Sequence, residues 1–526
     1  MLKLLKKLIK ISMCSATIQL KRFVQIFFLC FFVSFGYNSF AQKNSKMPNI
    51  IYILADDLGY GDVSVNNPNG KIETPNIDGL AKQGMRFTDA HTTSSVCTPS
   101  RYSVLTGRYP WRSRLAVGVL RGYSRTLIEP QTPTVAAMLQ NAGYQTAVVG
   151  KWHLGLDWTM KAEHADSLLP KYNANNMFGI KNELLPEQID FTKPATAGPH
   201  TQGFNYSYIL PASLDMPPYC FVQNDSLTEI PSAYTNGNKL DADYTGPFWR
   251  AGLKAPSFDF YQTLPTFTQK ATDFIGRQSD KKPFFLYFPM PAPHTPWLPT
   301  PAYKGKSVVG DYGDYVKMVD DAVGEVLKKV EKMGFSKNTI IIFTSDNGPY
   351  WRDNFVQQFQ HASAGVFRGM KGDAFEGGHR VPFIVKYPNH VQPGSVSNAT
   401  TTLANLMATC TDIVGIHSEK YIPEDSYSIL PILLGKSTTI DHQPAIINIS
   451  SIGFYSIRKG PWKLITKMGS GGFTAPKEIT PKGDEPIGQL YNLDNDIHED
   501  VNLYKQLPEK VKELTELLEK IKSYKK

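Results

Sequence analysis

The sequence predicts an α/β fold, a mostly parallel sheet flanked by helices, with a smaller α+β subdomain at the C-terminus. Three observations predict it. Continuous apolar runs at 49–55, 283–290 and 339–345 lack polar alternation, as expected of strands buried on both faces. Between the last two runs, Val316, Val319, Val323, Val326, Val330 and Met333 recur at helical spacing, and the pattern closes at Gly334. Beyond Gly435 the pattern changes to short strand-like segments and one final helix. Strands alternating with helices imply a sheet covered on both sides, whose sites form beyond the carboxyl ends of the strands.

Taken in order, residues 1–41 read as a secretory signal peptide. Lys3, Lys6, Lys7, Lys10, Lys21 and Arg22 precede the apolar run 23–35, and Ser39-Phe40-Ala41 supplies small residues for cleavage. The basic stretch is long, so translation could also start at Met13. The apolar run is short for a membrane span, and Cys30 is followed by Phe31-Phe32-Val33 rather than the small polar residues that follow a lipidated cysteine. The expectation is therefore a periplasmic or secreted protein with no stable membrane anchor, as in a Gram-negative bacterium. Removing those six cations from the formal charge of +9 leaves +3, so the basic balance does not point to nucleic acid.

The chain of 526 residues, 41% hydrophobic, exceeds one ordinary domain. The expected division is 42–435 for the main domain and 436–526 for the C-terminal subdomain. Within the first, strand 49–55 stops at Asp56-Asp57, Thr132-Pro133 opens a helix that ends at Gly143, and 144–149 is the next strand. Residues 154–263 are rich in Pro, Asn and aromatic residues with little periodicity, a long functional loop region. In the second, 445–449 is strand-like, a hairpin runs through 454–465 with its turn at Lys459-Gly460, 489–493 is a strand, and a helix starts at Pro508. Only Cys97, Cys220 and Cys410 of five cysteines follow the leader, too few for a disulfide framework. Cys410 fits a core helix.

The chemistry centres on Ser94-Ser95-Val96-Cys97-Thr98-Pro99-Ser100-Arg101 and the following Leu105-Thr106-Gly107-Arg108. Pro99 suits a first helical turn, and Arg101 lies one turn after Cys97 on the same face, so helix N–H groups and a guanidinium can meet an anion there. A buried cysteine in a helix-start turn is the alternative. Asp56-Asp57 and Asp346-Asn347 end separate strands. Each pair alone is more often a turn or helix cap than a metal site, but together they offer oxygen-only ligands for a hard dication. In Gly150-Lys151-Trp152-His153-Leu154-Gly155, an extended chain would point Lys151 and His153 to one face.

The run Cys97-Thr98-Pro99-Ser100-Arg101 with Leu105-Thr106-Gly107-Arg108 resembles the signature of the type I, formylglycine-dependent sulfatases. The Gly150–Gly155 string, His294 in Pro293-His294-Thr295-Pro296, and Lys371 ahead of Glu376-Gly377-Gly378-His379-Arg380-Val381-Pro382 match it in family order. The resemblance implies an alkaline-phosphatase-like sheet and a sulfuric ester hydrolase. It further implies that Cys97 is oxidised to formylglycine by a formylglycine-generating or anaerobic sulfatase-maturating enzyme. One hydroxyl of the hydrated aldehyde would attack sulfur, and loss of the proton from the other would release sulfate. The resemblance assigns Asp56, Asp57, Asp346 and Asn347, with modified Cys97, to Ca2+ rather than Mg2+, Arg101 to orienting the diol, Lys151 and Lys371 to sulfate contact, His153 to proton removal and His294 to leaving-group protonation. Arg368 and Glu376 read as structural.

Residues 203–206, 211–219, 469–473 and 489–493 look like those of bacterial glycan sulfatases related to N-acetylgalactosamine-6-sulfatase and to arylsulfatase A. The implied substrate is a sulfated oligosaccharide, with exo-acting 6-O-desulfation of galactose or N-acetylgalactosamine. Asp157, His200 and Asp215 are polar loop residues that could grip sugar hydroxyls, although each reads more readily as an ordinary loop-stabilising residue. The alternatives are 4-O or 3-O specificity, a general arylsulfatase, a phosphonate or phosphate monoester hydrolase, and a non-catalytic glycan binder.

Overall fold

In a computed structural model of the protein, the described residues are Leu2, 47–164, 184–238, 248–416, 418–421 and 423–524. The chain divides into two compact units, Met1–Met47 and Pro48–Lys526, and every element below belongs to the second. The expected leader, 1–41, lies outside the described residues except for Leu2. Among the described residues no helix is long and apolar enough to cross a membrane.

A ten-stranded sheet forms the centre. Its strands in chain order are β1 (Asn49–Asp56), β2 (Met85–Phe87), β3 (Gln145–Lys151), β4 (Tyr206–Leu210), β5 (Val222–Gln223), β6 (Ser226–Leu227), β7 (Phe284–Pro293), β8 (Thr339–Ser345), β9 (Phe383–Lys386) and β10 (Ser395–Ser397). Across the sheet the order is β10, β2, β9, β8, β1, β7, β3, β4, β5, β6. From β8 through β4 the pairings are parallel, with Ile51 opposite both Leu286 and Ile341. Beyond them β9 runs antiparallel to β8 and β2 to β9, while β5 and β6 close the other edge as a hairpin. The alternation of β1 shows why its residues are apolar throughout. Ile50, Tyr52 and Leu54 enter one core cluster, and Ile51, Ile53 and Ala55 enter the other.

Helices cover both faces. Helix α1 (Pro75–Gln83), α4 (Thr263–Gly276) and α5 (Gly310–Lys332) bury Leu80, Phe267 and Val319 on one side. Helix α2 (Cys97–Thr106), α3 (Val135–Asn141) and α6 (Leu406–Val414) bury Leu105, Leu139 and Cys410 on the other. Helix α3 starts later than Thr132-Pro133 suggested, because Thr134 is its cap and its Oγ1 accepts from the Ala137 amide at 3.0 Å. Strands β4 to β6 come from the region read as loop, where runs of two to five residues are too short to show a period. Cys220, which the sequence leaves unplaced, is buried in the same cluster as α4 and α5.

The C-terminal segment adds a separate four-stranded antiparallel sheet in chain order: β11 (Ile446–Ile449), β12 (Tyr455–Lys459), β13 (Trp462–Ile465) and β14 (Gln489–Asn492). Helix α7 (Pro508–Ser523) packs on it through Val511, Leu514 and Leu518. A second cluster joins Ile465 and Tyr491 to Ala374 and Phe375, so this sheet lies against the turn that follows Lys371.

Candidate active site

The parallel strands β1 and β8 are neighbours, and this brings their carboxyl ends together. Asp56 and Asp57 leave β1, with Asp57 at φ +62°, and Asp346 and Asn347 leave β8. The Asp57 amide donates to Asp346 Oδ1 (3.3 Å), and Asn347 Nδ2 donates to Asp57 Oδ1 (2.7 Å). Cys97 begins α2, and its Sγ lies 3.7 Å from Asp56 Oδ1. All five residues are buried.

Three cations balance the three carboxylates. Arg101, one turn into α2, places Nε 2.8 Å and Nη2 2.7 Å from Asp346 Oδ2, and donates from Nη1 to the Lys151 carbonyl at 2.9 Å. Lys151 Nζ is 2.6 Å from Asp56 Oδ2, and Lys371 Nζ is 2.8 Å from Asp57 Oδ2. Burial opposes ionisation of Asp56, but Lys151, His294 and Arg101 outweigh it and hold the carboxyl well below its usual range. At Asp346 burial prevails over Arg101 and raises it to about 6. Burial also raises the Cys97 thiol to about 12, despite Lys151 and Lys371.

Lys151 and His153 do not share an extended segment. Strand β3 ends at Lys151, and His153 takes φ +56°, so the chain turns between them. The two side chains serve the same centre by different routes. His153 Nε2 lies 2.7 Å from the Leu120 carbonyl, which makes Nε2 the protonated nitrogen, and the buried Nδ1 has no hydrogen-bond partner. Burial, with Lys151 and Arg101 nearby, lowers this histidine well below its usual value, so it is neutral at pH 7. His294 follows β7. Its Nδ1 is 2.5 Å from the Thr295 carbonyl and its Nε2 is 3.7 Å from Asp57 Oδ2.

The donor set fits a hard dication. Asn347 Oδ1 is buried without a hydrogen-bond partner beside three carboxylates, an oxygen environment that a cation such as Ca2+ satisfies. With Arg101, Lys151 and Lys371 already neutralising those carboxylates, a dication would leave the site positive and ready for an anion.

A pocket of about 260 Å³ opens over this centre and is lined by Cys97, His153, His294 and Lys371. Asp215, Arg250, Tyr350 and Phe473 also line it. Of the three loop residues that could meet a sugar, Asp215 is there, paired with Arg250. Asp157 instead accepts from the Thr126 amide and pairs with Arg125, and His200 pairs with Asp225. Arg250, Tyr350 and Phe473 were not singled out in the sequence. Of these only Phe473 lies in a quoted segment, 469–473. Glu376 pairs with Lys463 and Arg380, and Arg368 donates to the Glu499 carbonyl, which is a structural use of both.

Residues 48–416 match the Sulfatase family. The chain is 34% identical to an N-acetylgalactosamine-6-O-sulfatase of Bacteroides thetaiotaomicron, over 93% of this chain and 96% of that protein. It is 32% identical to arylsulfatase A of Bos taurus, over 79% of this chain and 74% of that one. A solved structure from work on the metabolism of multiple glycosaminoglycans by Bacteroides thetaiotaomicron superimposes with a TM-score of 0.76 at 32% identity, covering 91% of this chain and 100% of that one.

Proposed function

The chain belongs to the sulfatase family, and from that premise we propose that it removes 6-O-sulfate from galactose or N-acetylgalactosamine units at the ends of sulfated glycans. It is a sulfuric ester hydrolase. The observation that carries the reading is the convergence of Cys97 with Asp56, Asp57 and His294 in one buried cluster, and its opening, beside Lys371, into a pocket that is also lined by aromatic and polar side chains. The 34% identity to an N-acetylgalactosamine-6-O-sulfatase over nearly the whole chain supports the sugar and the position.

In this reading Asp56, Asp57, Asp346 and Asn347 hold Ca2+, which supplies positive charge to the sulfate oxygens. Formylglycine made from Cys97 by a maturation enzyme supplies, as its hydrate, a hydroxyl nucleophile and a route for releasing sulfate. The protein's own groups do the rest. Lys151 and Lys371 bind nonbridging sulfate oxygens and offset the negative charge that would repel the nucleophile. Arg101, tied to Asp346 and to the Lys151 carbonyl, holds the nucleophile's surroundings rigid. His153 accepts a proton at Nδ1, the atom without a partner, because the Leu120 carbonyl holds the other nitrogen protonated. His294 delivers a proton to the departing sugar oxygen. We place the enzyme in the periplasm or outside the cell, exported by its N-terminal leader.

The experiment is a substrate panel on protein whose Cys97 peptide has been shown by mass analysis to carry the aldehyde. The panel compares 6-O-, 4-O- and 3-O-sulfated galactose and N-acetylgalactosamine with an aryl sulfate and an aryl phosphate. The highest kcat/KM is expected on a 6-O-sulfated sugar. A preference for another position, for the aryl sulfate or for the phosphate would replace this reading.

A further inference from the structure

One side chain lining the pocket, Phe473, comes from a part of the chain remote from the catalytic motifs. Phe473 follows β13 in a loop with no regular secondary structure, and lines the pocket with Tyr350. The two rings meet edge to face, with centroids 5.9 Å apart and planes at 78°. One carboxylate holds this loop. Asp373 Oδ1 accepts from the amides of Phe473 (2.7 Å) and Thr474 (3.1 Å), and Oδ2 accepts from the Thr474 hydroxyl (2.5 Å) and the Met370 amide (2.9 Å).

Asp373 is fully buried and lies two residues after Lys371, whose ammonium faces Asp57. Around it the two loops touch backbone to backbone. A Cβ on Gly472 would sit 2.2 Å from the carbonyl carbon and oxygen of Gly372. The Ala374 amide donates to the Ser470 carbonyl at 2.7 Å, and the Ser451 amide to the Gly372 carbonyl at 2.8 Å. The same turn reaches the nucleophile's segment, because the Gly372 amide donates to the Ser95 carbonyl (2.8 Å) and Ser95 Oγ to the Asp373 carbonyl (2.5 Å).

We propose that Phe473, with Tyr350, is an apolar platform for one face of the sugar that carries the sulfate, and that Asp373 is the positioning residue that sets this platform relative to Lys371. This rests on the sugar-sulfate reading above. A pyranose presents C–H groups on its face and hydroxyls at its rim, so it needs an aromatic surface and a polar pair such as Asp215 with Arg250 in one pocket. Because Asp373 binds both loops, sulfate contact and sugar contact are held in one rigid frame.

The test is steady-state kinetics on the 6-O-sulfated sugar, with inorganic sulfate as an inhibitor that fills only the sulfate end. Phe473→Ala should raise KM about tenfold with kcat within about threefold, and Phe473→Trp should restore KM. Asp373→Asn should raise KM and also weaken sulfate inhibition, each by roughly tenfold, whereas Phe473→Ala should shift sulfate inhibition less than about twofold. If Asp373→Asn does not fold, Thr474→Val leaves the carboxylate in place, removes the hydroxyl that donates to Asp373 Oδ2, and should reproduce the KM rise and the weaker sulfate inhibition. A KM within about twofold of wild type in Phe473→Ala, or sulfate inhibition unchanged in Asp373→Asn, overturns the proposal while leaving the sugar reading intact. Wild-type protein active on the aryl sulfate and on none of the sugars would overturn both.

Discussion

Cys97 cannot act as a thiolate where it sits. Burial pushes its thiol up to about 12, so the unmodified side chain is the protonated thiol at pH 7 and a poor nucleophile. Protein made without the maturation enzyme should therefore be inactive and, while folded, should resist iodoacetamide at Cys97. Rapid alkylation of that peptide in native protein would contradict the burial argument. The same scale decides His153, whose neutral ring presents Nδ1 as an acceptor because Leu120 occupies Nε2. His153→Ala should lower kcat by about 10²- to 10⁴-fold with little change in KM, read from initial rates on the 6-O-sulfated sugar. Asn347→Ala removes the amide oxygen that lacks a partner, and should weaken calcium binding, measured as a smaller rise in Tm on adding Ca2+ to chelator-treated protein.

At the scale of elements, a relay of side chains joins three segments that have no local reason to meet. Lys463 on β13 donates to His379 Nε2 (3.1 Å), His379 Nδ1 lies 3.0 Å from His91 Nδ1, and His91 Nε2 lies 2.8 Å from Asp89 Oδ1. Lysine can only donate and the carboxylate only accept, so both rings are neutral with fixed tautomers. Burial lowers both histidines, His379 well below 6.5 with Lys463 adding to it. Burial opposes ionisation of Glu376 and Asp89, but Lys463 and Arg380 respectively outweigh it and hold both carboxyls low. Glu499, raised by burial, works in the opposite sense. At the first four groups the folded state binds fewer protons than the unfolded state. Stability is then present above the unfolded values and is lost as pH falls, first below 6.5 and further below 4.5. Tm should be lower at pH 5 than at pH 7.5, and His379→Gln should narrow the gap; an equal gap in the variant would show that the relay does not carry it.

At the scale of the whole molecule, the C-terminal sheet and the catalytic region depend on each other. Lys463 Nζ lies 2.9 Å from Glu376 Oε1 and 2.9 Å from Glu499 Oε1, all of them buried, while Ser95 donates its amide to the Ile449 carbonyl two residues before Cys97. Replacing Lys463 by Met takes the cation from buried Glu499 and leaves Glu376 to Arg380, and should cost about 3–5 kcal/mol of stability in denaturant unfolding. A chain ending at residue 435 should fail to fold into an active enzyme, and its activity after separate expression would refute this dependence. Much of this was legible beforehand. The apolar runs of β1, β7 and β8 announce buried parallel strands, and the Cys97 to Arg108 stretch announces the chemistry, because strand burial and a modification motif are local properties of neighbouring residues. The turn at His153, the particular partners of Asp157 and His200, and the wall formed by Phe473 were not legible. Each depends on which distant group arrives beside it: Leu120 at His153, Arg125 at Asp157, Asp373 at Phe473. By itself the sequence determined the buried strands of the central sheet and the family, and with them the residues proposed to react. Only the tertiary structure decided which nitrogen of His153 is free and what surrounds the substrate, since both follow from contacts between segments far apart in the chain.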